Sequence, residues 1–171
     1  MKSLRSKWPI LALIFIILIF FRPALAGQLP IPGDTIVGLY HPFRDLYRDQ
    51  YPNGIPFKNF LVTDPVRQLL PWRELSMGIL RQGEIPFWNP YNMAGVPLLA
   101  NFQSAVFYPL NVLFFFFPFA IAWSILIFFQ PLLAGLFMYL YLKNLGVSKI
   151  AGFLGGLTFS FSGFSIAWLT W

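Results

Sequence analysis

Cysteine is absent from the chain, and histidine occurs once, at His41. The first absence excludes disulfides, thiolate metal sites and a cysteine nucleophile. The second leaves a zinc site without a second imidazole; His41, just before Pro42, reads as a turn residue. Charge is scarce too: 11% of the residues carry it, against about 25% in an ordinary soluble domain. What is abundant is apolar surface. Hydrophobic residues make up 57% of the chain, and phenylalanine alone occurs 21 times. A surface built from this composition needs lipid as solvent for much of its area.

The net charge of +6 suggests a nucleic-acid partner until its distribution is read. All the acids (Asp34, Asp45, Asp49, Asp64, Glu74, Glu84) fall between residues 27 and 118. So do Arg44, Arg48, Lys58, Arg67, Arg73 and Arg81, which leaves that segment neutral. The surplus cations are Lys2, Arg5, Lys7, Arg22, Lys143 and Lys149, and most flank apolar runs. That is the positive-inside pattern of a membrane protein, not a nucleic-acid footprint.

The chain opens with a basic tip, residues 1–8, expected in the cytoplasm. Pro9–Phe21 follows as an unbroken apolar run. One reading is a first membrane helix over 9–26, with Trp8 at the inner interface and Arg22 reaching to the outer one. The other is a cleaved signal peptide with Ala24-Leu25-Ala26 as the small-residue site. Both place residues 27–104 outside the cytoplasm. This loop is rich in proline and expected to be irregular, with a helical turn near Phe43–Tyr51. There, Asp45 and Asp49 at i, i+4 suggest either a metal-binding pair or a solvated turn with an Asp45–Arg48 contact.

Residues 105–117 are apolar but broken by Pro109 and Asn111, and read as an interfacial or re-entrant helix. Residues 119–142 are uncharged and long enough for ~36 Å of helix, a second span that Pro131 should kink. Lys143 and Lys149 bracket a short turn expected in the cytoplasm. Residues 150–171 return outward as a third span, ending with Trp168 and Trp171 at the outer interface. Gly152, Gly156, Ser160, Gly163 and Ala167 share one of its faces, a surface that lets another helix approach closely. The expected fold is therefore an all-α integral membrane protein with about three spans and a long, partly helical outer loop. The small-residue face has no evident partner, which reads as a part of a longer protein completed by further transmembrane helices.

The most sharply punctuated stretch is Asp64–Pro90. Asp64-Pro65 is a helix-start signal, with Asp64 as N-cap and Pro65 in the first turn. Apolar residues follow at helical spacing, Pro71 interrupts, and Gly83 stops the helix. A carboxylate held at the mouth of a bilayer can serve as a general base or hold a divalent cation. Asp64 is the candidate for both. Arg67 and Arg73 can meet a phosphate. Trp72, Trp88 and Tyr91 offer flat faces to a sugar ring, and Asn89, Asn92, Asn101 and Gln103 offer hydrogen bonds. Each has a plainer reading: Asp64 only caps, Arg67 only pairs with it at i, i+3, and the tryptophans only anchor among headgroups.

Several motifs in order carry a resemblance: D-x-x-x-Q-x-x-P-W from Asp64, then RQGEIPFWNPY, GVPL, NFQSAVFYP, and LYLKNLGVSKIAGFLGGLTFSFSGF. This string resembles the bacterial YfhO-like membrane proteins, which are similar to the GT-C glycosyltransferases. The resemblance implies a multi-pass protein of the bacterial plasma membrane, with residues 27–104 extracytoplasmic. It implies sugar transfer from a polyprenyl-phosphate carrier to a cell-envelope acceptor, with Asp64 at the position of the essential first-loop acid. On that reading Arg67 and Arg73 steady the phosphate, and Trp72, Trp88, Asn89 and Gln103 shape the sugar pocket. Many GT-C enzymes carry paired acids, whereas Pro65 and Val66 follow Asp64, so a Mg²⁺ or Mn²⁺ cofactor stays open. The alternative is a non-enzymatic envelope protein, a scaffold or a subunit of a lipid-linked-sugar transporter. The expected partners are the lipid bilayer and the lipid-linked sugar, with no nucleic acid.

Overall fold

Nothing in residues 119–142 opposes a helix except Pro131, and the chain forms one there, Phe119–Asn144. The computed structural model describes residues 2–55 and 63–170, with side chains from Lys7 onward. The places expected for Lys58 and Trp171, and for the side chains of Lys2 and Arg5, lie outside the described residues. The chain divides into two compact units, Met1–Pro30 with Ala120–Thr170, and Ile31–Phe119.

The first unit is helical throughout. Helix α1 (Lys2–Phe20) carries Pro9 within it, and a short helix α2 (Arg22–Leu25) follows. The seven-turn helix Phe119–Asn144, α7 in chain order, ends in a tight turn. Ser148 then opens α8 (Lys149–Ser160), its Oγ accepting the amide of Ala151 at 3.3 Å. Phe161 and the extended Ser162 break that helix. Ser162 caps a further piece, α9 (Gly163–Ala167), by accepting the amide of Ser165 at 3.2 Å. The third expected span is thus two helical pieces with a polar joint.

The small-residue face has a partner in this chain, and it is α7. A Cβ on Gly152 would meet the Tyr139 ring, one on Gly156 the carbonyl of Gly135, and one on Gly135 the Oγ of Ser160. Ser160 Oγ donates to the carbonyl of Pro131 at 2.8 Å. The pairs step by four residues on each helix, 139–135–131 against 152–156–160, as an antiparallel small-residue seam requires. The expectation of an unpartnered face is corrected on that point. Gly163 and Ala167 are exposed beyond the break and take no part.

Helix α1 runs parallel to α8. Trp8 meets Phe153 with tilted rings, 5.3 Å between centroids, and Phe20 meets Phe161 edge-on at 5.1 Å. Phe21 meets Phe128 of α7 at 5.6 Å. Lys7, Lys143 and Lys149 therefore belong to one end of the unit, and Arg22 to the other. The chain leaves α1 and enters α7 at that second end.

Two stretches are long and apolar enough to cross a membrane: Phe119–Asn144, and Lys149–Ala167 taken across its break. Only 28% and 17% of their most apolar windows are buried, so most of that surface has no protein partner in the structure. The apolar part of α1, Lys7–Phe20, is shorter than either.

In the second unit, prolines start helices instead of only forbidding them. Pro30 and Pro32 precede α3 (Asp34–Leu39), where an irregular segment was expected, and Thr35 Oγ1 donates to the carbonyl of Pro32 at 2.7 Å. Helix α4 (Phe43–Leu46) continues as turns to Tyr51. The central helix follows, a π-helical turn Pro65–Leu69 leading into α5 (Leu70–Arg81). A small hairpin pairs β1 (Trp88–Asn89) with β2 (Val96–Pro97), Trp88 opposite Pro97. The stretch expected as one interfacial helix over 105–117 is a left-handed Ala105, a 3₁₀ turn Pro109–Val112 and α6 (Leu113–Phe116).

Candidate functional site

Asp64 is where the local chemistry departs most from expectation. Its φ of −58° and ψ of −37° are already helical, and its side chain makes no capping hydrogen bond. A capping residue keeps extended dihedrals. The carbonyl of Thr63 opens the helix instead, accepting from Val66 at 3.2 Å and Arg67 at 3.0 Å. The N-cap role expected of Asp64 is therefore wrong. The carboxylate is half-buried and not spent on the backbone.

Pro71 explains the turn that follows. It has no N–H, and in a regular helix its ring would meet the carbonyl of Arg67. The chain widens before it. The amide of Leu70 reaches the carbonyl of Pro65 five residues back, and regular α-helix resumes with Pro71 in its first turn. Such π turns place side chains off the ordinary helical ladder. Accordingly, Arg67 does not pair with Asp64. Its guanidinium lies 5.4 Å from the centroid of the Tyr40 ring, in cation–π range, and the side chain stays exposed.

Arg73 faces inward. It is 8% exposed, on the α5 face that also buries Ser76 and Met77. Burial holds its guanidinium below the usual value, an effect that the nearby Tyr108 phenol opposes. A group placed this way supports the fold and does not present itself to a phosphate from outside. Trp72 is half-buried one position earlier.

Gly83 ends α5 with φ +81°. Its amide reaches the carbonyl of Leu80 at 3.0 Å, and that of Glu84 reaches Ile79 at 3.3 Å. Arg81 donates to the carbonyl of Phe114, tying α5 to α6. Beyond the stop, Trp88 is about half exposed, while Asn89 is buried with its Oδ1 accepting the amide of Tyr91 at 2.9 Å. Asn101 Oδ1 accepts the amide of Gln103 at 3.1 Å, and the Gln103 side chain is exposed. Ser104 is fully buried and donates to the carbonyls of Leu98 at 2.9 Å and Asn101 at 2.6 Å. Asn89 and Asn101 thus spend their oxygens on turns.

Asp64 and Arg67 share one helical turn, and Trp88 and Asn89 share one strand. Two cavities in this unit are lined mostly by other residues, with Tyr91 in one and Asp45 in the other. One groove runs along α5 between Glu74, Gly78, Gln82 and Tyr91. A polar cavity surrounds α4 and includes His41, Arg44, Asp45 and Arg48. In it, His41 Nδ1 lies 2.6 Å from Asp45 Oδ2. Asp45 therefore pairs with His41, not Arg48. Sequence spacing held the His41/Asp45 signal at i, i+4, but Asp45–Arg48 at i, i+3 competed with it. Among the described residues, no three His, Cys, Asp or Glu side chains gather. Among the described residues, no such group surrounds Asp64 to hold a divalent cation.

No family model, no curated protein and no solved structure matches this chain.

Proposed function

We propose that the chain forms the loop-bearing helices of a GT-C-like glycosyltransferase in a bacterial plasma membrane. The basic end of the three-helix unit faces the cytoplasm, and residues 27–104 lie outside. The observation that carries the transfer reading is the Asp64 carboxylate. It is half-buried, makes no capping bond, and sits one turn from the exposed Arg67.

Asp64 takes the proton of an acceptor hydroxyl as that oxygen attacks the anomeric carbon of the lipid-linked sugar. The bond from that carbon to the phosphate oxygen breaks, and the polyprenyl phosphate leaves with the electron pair. Arg67 meets the growing charge on the leaving phosphate, which is the larger contribution to lowering the barrier. Trp88, and Trp72 beneath it in the sequence, supply the flat faces for the sugar. Arg73 holds α5 in place.

The test is transfer of a labelled sugar from a polyprenyl-phosphate donor by the full-length protein in membranes. Asp64→Asn should lower turnover by at least about a hundredfold, the scale of a lost general base. Unchanged turnover removes Asp64 from the chemistry. Orientation is tested separately. The chain has no cysteine, so single cysteines at positions 84 and 149 report cleanly. An impermeant maleimide should label the first from outside and spare the second.

A second reading is favoured by one observation: among the described residues, the groove along α5 and the cavity around α4 include none of Asp64, Arg67, Trp72, Trp88, Asn89 or Gln103. On it, the chain is a non-enzymatic envelope protein that binds a lipid-linked sugar without consuming it. Protection of the carrier from an added glycosidase, with no transfer, distinguishes it.

A further inference from the structure

The cavity around α4 has a volume of about 500 Å³; Val37 and Gly38 of α3 and, beyond the coil, Pro52, Gly54 and Ile55 close it, and its polar side chains come from one coil. Backbone bonds from Asp45 to Pro42, Tyr47 to Phe43 and Tyr51 to Tyr47 keep that coil continuous through residues 42–51. His41, Arg44, Asp45 and Arg48 therefore recur at three- and four-residue spacing along one side, with Tyr47 and Tyr51 beside them. The charge arithmetic within this cavity is unusual. Its one acid, Asp45, is engaged by His41 at 2.6 Å. Arg44 and Arg48 are exposed, and among the described residues neither guanidinium group has a hydrogen bond or ion pair. Two guanidinium groups four residues apart repel each other unless an anion lies between them.

We infer that this cavity binds a phosphate group carried on a polar ligand, with Arg44 and Arg48 as its donors and Tyr47 and Tyr51 as its walls. Paired guanidinium forks match phosphate oxygens in geometry and charge. The cavity is larger than a bare phosphate needs, and its aromatic sides suit the organic group that bears it. The His41–Asp45 contact keeps the carboxylate from competing for the arginines. The site uses none of the residues assigned to sugar transfer and stands whether or not Asp64 acts as a base.

The same phosphate chemistry comes from a soluble ester or from a lipid headgroup, and two probes separate them. One is inorganic phosphate, titrated calorimetrically into the full chain in detergent. The other is phosphatidylglycerol, counted by mass spectrometry on protein recovered from phosphatidylcholine nanodiscs that contain it. Arg44→Gln with Arg48→Gln should weaken binding of the responding probe by about tenfold or more. Asp45→Asn should tighten it by about threefold, since it removes the one negative charge. This second variant gains binding, so a loss caused by misfolding cannot imitate it. A response to inorganic phosphate assigns a soluble ester; a response to phosphatidylglycerol alone assigns a headgroup. The inference is overturned if the wild type binds neither probe, if the double arginine variant binds as the wild type does, or if Asp45→Asn binds no more tightly.

Discussion

Replacing Gly135 with alanine is the sharpest test of the helix seam. The new Cβ would stand 2.1 Å from Ser160 Oγ and 3.2 Å from the carbonyl oxygen of Gly156. The first distance is impossible, so the serine must turn away or the helices must part. Turning away gives up the bond from Ser160 to Pro131, now 2.8 Å, worth about 0.5–1.5 kcal/mol. Parting the helices along a packed seam costs about 1–3 kcal/mol. Gly135→Ala should therefore destabilise the protein by about 0.5–3 kcal/mol, depending on which of the two gives way. Ser160→Ala should cost only its hydrogen bond. It also removes the atom in the way, leaving Ser160 Cβ at 3.5 Å from the new methyl group. The double variant should then be less destabilised than the two single losses added together. Gly163→Ala is the control, because nothing lies within 4 Å of its added Cβ. The assay is equilibrium unfolding of the full chain in mixed micelles. If Gly135→Ala is no worse than Gly163→Ala, α7 and α8 do not meet along these residues and the seam is wrong.

Gly95→Ala should loosen the hairpin: its Cβ would fall 2.3 Å from Trp88 Nε1, at a φ of +101° that side chains resist. A loss of about 2 kcal/mol and faster protease cleavage within 88–97 are expected, and wild-type resistance would refute the close approach. Arg73→Ala should cost about 2–4 kcal/mol in stability, with the KM of any transfer unchanged, because the side chain is buried in the fold. Its native pKa is lowered by burial, so the charged form is penalised at every pH below that value. Stability rises only as strongly alkaline pH passes it, so the difference between Arg73→Ala and the wild type should not vary between about pH 5 and 9. Residues 85–142 carry no charge, and Tyr91, Met93, Phe102 and Phe107 are largely exposed. Spin labels at 93 and 102 should meet oxygen dissolved in lipid more than a water-soluble relaxing agent, whereas a label at 49 should show the reverse. Equal accessibility at all three would show that the aromatic loop stays in water.

Much of the helical part was legible because local chemistry decides it. An uncharged stretch as long as Phe119–Leu142 has few alternatives to a helix, and Gly83 marks an end by a backbone preference that needs no distant partner. The stripe of small residues on α8 was legible as a face, but its partner was not. Tyr139 and Pro131 disguise the matching stripe on α7, where only Gly135 is small. Asp64 failed for a different reason. Asp-Pro is an ordinary helix start, and the widening that shifts the first turn is set by Pro71, seven residues later. His41 and Arg48 competed for Asp45 at equivalent spacings, and sequence offers no way to weigh them.

These failures share a cause that bears on function. A backbone bond or an apolar face is settled by the residues within a turn or two. The partner of an exposed carboxylate or guanidinium is settled by differences of a few tenths of a kcal/mol among several candidates. Both charge clusters of the loop, Asp64 with Arg67 and His41 with Arg48, depend on differences of this size. At Asp64 the outcome leaves a carboxylate that does not cap the helix. Around α4 it leaves two guanidinium groups that the chain's own acid does not neutralise. Polar groups left over in this way are where a ligand gains most from arriving, because it need not displace an internal partner. For that reason the Asp64→Asn transfer assay and the phosphate titration address independent halves of the loop, and either can fail without the other.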